Sequence, residues 1–193
     1  MKLNNKQYMI TTDKLKTVYK TLKDKFAYKG PMAAPRLVKI VINVGTGKRS
    51  RNDKEWNKLV ADRLSKITGQ KPSSTGAKQS IANFKTREGD VIGQVVTLRG
   101  KRMQAFIEKL LHIALPRTKD FRGIKRTAVD TMGNLSIGIK EHTIFPETSD
   151  EELKNVFGMA ITIVTTAKSR DEATAFLEHL GVPFAKIDTK GKK

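Results

Sequence analysis

Residues 44–50 read VGTGKRS, and glycines followed by two cations suggest phosphate chemistry first. A Walker A loop needs a glycine five places before its Gly-Lys pair and Ser or Thr directly after the lysine. Those positions hold Ile42 and Arg49, and the third glycine of a dinucleotide fingerprint is replaced by Ser50. The stretch reads instead as a turn leaving a strand, where missing side chains let an RNA backbone approach and Lys48 and Arg49 meet its phosphates. The other reactive types are scattered. His112, His142 and His179 share no i,i+4 spacing, and cysteine is absent, which removes disulfides and thiolate metal sites and fits a reducing compartment. Glu141 and His142, adjacent on a strand, point to opposite faces. Asp150, Glu151 and Glu152 follow Ser149 as acids do at the positive end of a helix. No catalytic residue, metal site or cofactor is expected.

Charge supplies what these residues lack. The 193-residue chain carries 38 Lys and Arg against 19 Asp and Glu, a net charge of +19. Residues 1–126 hold 30 basic and 9 acidic side chains, and residues 127–193 hold 8 and 10. A field so concentrated attracts a polyanion, with salt-dependent affinity through counterion release. Between Asp62 and Glu88 no acid occurs, while Arg63, Lys66, Lys71, Lys78, Lys85 and Arg87 are all positive. Within that run Gly69, Pro72, Ser73, Ser74, Thr75 and Gly76 are turn formers that bar a helix. The segment reads as an extended basic loop, hairpin-like, with Lys71 and Lys78 flanking its tip and Ile81 and Phe84 anchoring its return.

Apolar spacing supplies the frame that must position these groups. Leu15, Val18, Tyr19, Leu22 and Phe26 mark one helix face, and Trp56, Leu59, Val60, Leu64 and Ile67 a second. A third helix runs from Met103 through Phe106, Ile107, Leu110, Leu111 and Ala114 to Pro116, which cannot continue it. A fourth opens on a Ser169–Glu172 capping box, buries Ala173, Phe176, Leu177 and Leu180, and closes at Gly181. Between them, LVKIVINV, QVVTLRG, NLSIGIKE and MAITIVTT alternate with period two or run apolar, as strands do. Together they predict an α+β fold in one domain over residues 1–193: an antiparallel sheet with helices packed on one face, a two-layer sandwich. The tails, 1–7 and 186–193, are polar. The open face would present Lys39, Asn43, Thr97, Arg99, Ser136 and Lys140. It lacks the aromatics on which an RRM stacks splayed bases, so folded RNA, offering 2′-hydroxyls, minor-groove edges and phosphates, is the better fit. No run of 18 apolar residues exists and the start is polar, so neither a membrane span nor a signal peptide is expected, and the cytosol is the expected compartment.

The segments KIVINVGTG, ITGQKP, AKQSIANFKTREGDVIGQVVTLRGKRM, ALPRTKDFRG, GNLSIGIKEHTIFPE and GMAITIVTTAKSRDEA, in that order, resemble the bacterial large-subunit ribosomal protein L-five family, over residues 8–185. The resemblance implies a structural constituent of the large ribosomal subunit that binds 5S rRNA in the central protuberance, beside large-subunit rRNA and other central-protuberance proteins. It also implies contact with P-site tRNA through a basic loop and an intersubunit bridge to a small-subunit head protein. The family's 5S rRNA contacts fall on Asn43, Gln70 and Thr97, with Lys39, Ser80 and Arg99 added by neighbourhood and charge. Its tRNA-facing loop falls on Thr75, Gly76, Ala77, Lys78 and Gln79; Gly76 and Gln79 stand where basic residues are usual. The segment from Arg117 to Arg126 is expected to face the other subunit. The competing readings are a basic RNA-processing enzyme and a general RNA chaperone.

Overall fold

A computed structural model describes residues 10–50, 53, 55–119, 121–148 and 155–185. The expected polar tails and the acid-led helix start at Asp150, Glu151 and Glu152 lie outside the described residues. The helices are α1 (Ile10–Phe26), α2 (Gly47–Ser50), α3 (Trp56–Thr68), α4 (Gly100–Lys109) and α5 (Arg170–Leu180). The strands are β1 (Leu37–Gly45), β2 (Ser73–Gly76), β3 (Val91–Leu98), β4 (Leu135–Ile139) and β5 (Met159–Thr165). They form one five-stranded antiparallel sheet in the order β2-β3-β1-β5-β4, so the α+β expectation holds. Alternation does the sorting: Ile40, Ile42, Val44, Val96 and Leu98 are buried while Asn43 and Thr97 are exposed. Val38, in phase with Ile40 and Ile42, is nevertheless 37% exposed.

The chain divides into two compact units. The first comprises Met1–Val38, Gln104–Ile137 and Ile163–Lys193. Here α1 packs on α5, burying Val18 and Leu22 against the stripe of Ala173, Phe176, Leu177 and Leu180. The Ser169 hydroxyl accepts from the Glu172 amide and Gly181 closes α5 at φ +100°, as the capping pattern predicts. Tyr28 donates to Glu172 Oε1 at 2.7 Å, and burial together with that carboxylate raises the phenol's pKa. The helix expected to stop at Pro116 does so, but through a widened π turn, Leu110–Ala114, in which Leu115 N donates to Leu110 O at 2.9 Å.

The second unit comprises Lys39–Met103 and Gly138–Thr162. Antiparallel register sets Ile42 against Val96 and Asn43 against Val95, and Ser73 of β2 meets Val95 from the other side. Helix α3 packs on β3, with Trp56, Val60, Leu64 and Ile67 buried. Three sequence expectations change here. The glycine-rich turn after β1 is a short helix, α2, and its Arg49, although exposed, sits over Trp56, 3.8 Å from the ring centroid. Ser73–Gly76 is an edge strand instead of a loop tip, because pairing with β3 outweighs the weak strand propensity of serine and glycine. Glu141 and His142 do not share a strand: β4 ends at Ile139, and His142–Ile144 is a 3-10 turn with the imidazole fully buried.

Candidate nucleic-acid interface

The open face of β1 and β3 begins with residues whose neighbours point inward. Asn43 stands between buried Ile42 and Val44, and Thr97 between buried Val96 and Leu98. Because Thr97 pairs with Val41 and Val95 with Asn43, the two polar side chains sit diagonally across adjacent strands, and Ser73 extends the Asn43 row. Lys39 and Arg99 each stand one residue beyond the Ile40–Leu98 pair. Two cations beside the same end of the face favour an anion there. No hydrogen bond from the described residues engages the side chains of Lys39, Asn43, Thr97 or Arg99. Donors and acceptors facing outward with nothing to meet suit an external polar partner.

Gln70 joins this surface from the end of α3. Gly69, in the left-handed conformation at φ +66°, stops the helix and turns the chain. The Gln70 amide then reaches back across β3: its Nε2 donates to Thr97 O at 3.2 Å and its Oε1 accepts from Arg102 at 3.4 Å. Arg102 rides in the first turn of α4, where no acid occurs. Cations at the positive end of a helix are disfavoured by about 0.3–1 kcal/mol each, so Arg99, Lys101 and Arg102 beside that end make an anion welcome. From Val91 to Gly100, and from Leu64 to Arg87, the chain contributes no carboxylate.

The connection from β2 to β3, residues 77–90, forms a second patch. Ala77 is tied to Asp90 O and Gly89 N, and Ile81 bridges Thr86 around a 3-10 turn at Ala82–Phe84. Ile81 and Phe84 do not anchor this segment: they are 44% and 60% exposed. Together with Ile92 and Gly47 they line an open groove of about 1050 Å³ whose rim carries Lys48 and Lys78. Among the described residues no group of three or more His, Asp or Glu could hold a metal ion, and no helix is long and apolar enough to cross a membrane.

The family model of ribosomal protein L5 matches residues 30–87, and that of the ribosomal L5 family C-terminus matches residues 91–184. The large ribosomal subunit protein uL5 of a Thermoanaerobacter species is 50% identical over 171 residues, 89% of this chain and 95% of the relative. The chain belongs to the ribosomal protein L5 family. The uL5 proteins of Desulforamulus reducens and Mesoplasma florum are 47% and 50% identical over 90% and 82% of this chain, covering 95% and 88% of their own lengths. Membership in the L5 family makes this a structural ribosomal protein and not an enzyme.

Within this L5-family chain the sequence-derived residues separate into groups. Lys39, Asn43, Thr97, Arg99 and Gln70 gather on β1, β3 and the end of α3. Ser80 stands apart in the 77–90 connection, where its hydroxyl accepts from Glu88 N at 3.0 Å. Thr75 and Gly76 belong to β2, Ala77 is buried, and Lys78 and Gln79 are exposed. Ser136 and Lys140 are exposed on and just after β4, which β5 separates from β1 in the sheet order. Sequence reasoning did not foresee the Arg102–Gln70 hydrogen bond or the outward turn of Phe84. An aromatic flanked by Asn83 and Lys85, with Arg87 nearby, was the available signal.

Proposed function

We propose that this protein binds 5S rRNA in the central protuberance of the large ribosomal subunit, as a cytoplasmic ribosome component. The observation that carries the reading is the outward-facing set Asn43, Thr97 and Gln70, on segments that carry no acid and with the cations Lys39 and Arg99 beside it. Short polar groups on a rigid sheet recognise a prefolded RNA by its 2′-hydroxyls and base edges, while the cations track its phosphates. Exposed Phe84 in a cationic segment adds one stacking platform for an unpaired base. The exposed Lys78 and Gln79, with Ala77 on the β2–β3 connection and Thr75 and Gly76 at the end of β2, form the contact to P-site tRNA. A cationic stretch from Arg117 to Arg126 supports the intersubunit bridge to a small-subunit head protein, with large-subunit rRNA and other central-protuberance proteins as further neighbours.

Titration of the full chain with 5S rRNA and with random RNA of equal length, at several salt concentrations, tests the reading. A clear preference for 5S rRNA is expected, reduced by about 1–3 kcal/mol in Asn43→Ala and in Thr97→Ala, each of which leaves an RNA group unsatisfied. Equal affinity for both RNAs would make the protein a general RNA chaperone, and unaltered binding by both variants would remove the site assignment.

A further inference from the structure

We propose that Arg102 is a positioning residue, which fixes which end of the Gln70 amide is presented to the RNA. This deepens the reading above and rests on it. A glutamine amide has two N–H donors and two acceptor lone pairs. In the protein alone one donor is spent on Thr97 O at 3.2 Å and one lone pair on Arg102 Nη1 at 3.4 Å. The root of the side chain is also fixed, since Gly69 turns the backbone and Gln70 N donates to the Thr68 hydroxyl at 3.3 Å. What remains is one N–H and one lone pair: a donor–acceptor pair of the kind that reads a base edge bidentately.

That pair has a polarity, and a half-turn of the amide reverses it. The reversed amide would bring its oxygen against the Thr97 carbonyl, acceptor on acceptor, and its NH₂ against the Arg102 guanidinium, donor on donor. Both neighbours therefore select one orientation, and the planar guanidinium holds its partner more rigidly than a lysine ammonium could. Without Arg102 only the Thr97 carbonyl opposes the flip, so the amide spends part of its time offering the wrong pattern. The rival role for an exposed arginine in this place is a plain phosphate contact. The two differ in whether the effect of Arg102 passes through Gln70.

The experiment is a double-mutant cycle on 5S rRNA affinity with Arg102→Met, Gln70→Ala and the double variant, measured across a salt series, plus the NMR spectrum of the Gln70 side-chain amide in the free protein. Methionine keeps an unbranched apolar stem like that of arginine and removes the guanidinium, and thermal melts confirm that each variant folds. Arg102→Met is expected to weaken binding by about tenfold in the wild-type background and to have no further effect beside Gln70→Ala. The salt slope should stay unchanged, and the Gln70 amide resonances should shift and broaden in free Arg102→Met. Arg102→Lys should restore little of the lost affinity. An equal loss in both backgrounds with a slope smaller by about one makes Arg102 a phosphate contact and overturns the proposal. Gln70 resonances unmoved by Arg102→Met overturn it as well. If wild type itself shows no preference for 5S rRNA, the RNA reading falls, while the spectrum of the free protein still decides whether Arg102 orients Gln70.

Discussion

The guanidinium of Arg63 lies 3.2 Å from Nε2 of His142, with both side chains buried, at 6% and 0% exposure. Arginine has no acceptor, so the imidazole nitrogen receives the bond. The same guanidinium donates to Asn155 O at 2.8 Å, and the Asn155 side chain accepts from Arg49 at 2.9 Å. Arg49 covers Trp56, Trp56 meets Phe157 edge-on at 6.2 Å, and Phe157 stacks on His142 at 4.1 Å. Two arginines from the most basic part of the chain thus close on one asparagine around three rings. Of these two arginines only Arg63 is withdrawn from solvent, at 6% exposure, while Arg49 remains exposed.

Replacing Arg63 should therefore damage the fold and spare recognition. Arg63→Met removes charge-assisted hydrogen bonds inside the second unit, and a loss of about 1.5–3 kcal/mol is expected in urea unfolding. The folded variant should bind RNA as wild type does at equal salt, because the buried guanidinium reaches no phosphate. A weakened RNA affinity with unchanged unfolding midpoint would reverse that assignment.

How far the sequence reveals this arrangement depends on what sets each feature. The long helices and β1, β3, β4 and β5 follow from apolar periodicity, which one-sided burial enforces locally. Ser73–Gly76 has no such pattern: only its register with β3 makes it a strand. Arg63 was legible in part, since Trp56, Val60, Arg63 and Ile67 fall on one helical stripe, yet an arginine there reads as solvent-facing until Asn155 and His142 arrive from distant sequence. The open-face pair Asn43 and Thr97 was readable from alternation. The Arg102–Gln70 bond was not, because it joins a helix start to a helix end 32 positions away.

Alkaline pH should expose the Tyr28–Glu172 bond. Burial, then the hydrogen bond and charge of Glu172, raise the phenol above its ordinary 10.0. A raised pKa means that the native state keeps its proton where the unfolded chain has lost it. The contribution is fully present below 10.0 and declines as pH rises beyond that value toward the folded pKa. Wild type should thus lose melting temperature more steeply above about pH 10 than Tyr28→Phe, which has no phenol to ionise. Parallel curves for the two proteins would show that the bond carries no pH-linked stability.

Glycine positions separate by geometry. Gly133 has φ +81°, and a Cβ there would come within 2.9 Å of both the Ala167 methyl and the Ala167 carbonyl oxygen. Gly133→Ala is expected to cost roughly 1–3 kcal/mol, from strain and the forced shift of a neighbouring backbone. At Gly138 the φ is not positive and a Cβ would meet nothing within 4 Å, so alanine should be accepted there within about 0.5 kcal/mol. Chemical denaturation of the pair decides it, and similar losses at both sites would mean that chain entropy, common to every glycine, outweighs local fit.

Lys39 and Arg99 should be separable from Asn43 by salt rather than by affinity alone. Both flank the Ile40–Leu98 pair at one end of the open face, where a phosphate would offset their charge. Each contact made this way releases condensed counterions, so Lys39→Gln and Arg99→Gln should each lower the slope of log affinity against log salt by about one, and should weaken 5S and random RNA alike. Asn43→Ala removes a neutral hydrogen-bonding group and releases no ion, so its slope should match wild type while its preference for 5S rRNA shrinks. Affinity measured from low to moderate salt on both RNAs distinguishes the two patterns. A reduced slope in Asn43→Ala, or an unchanged one in both charge variants, would mean that the phosphates lie elsewhere, and the cations of the 77–90 connection would then be the next to replace.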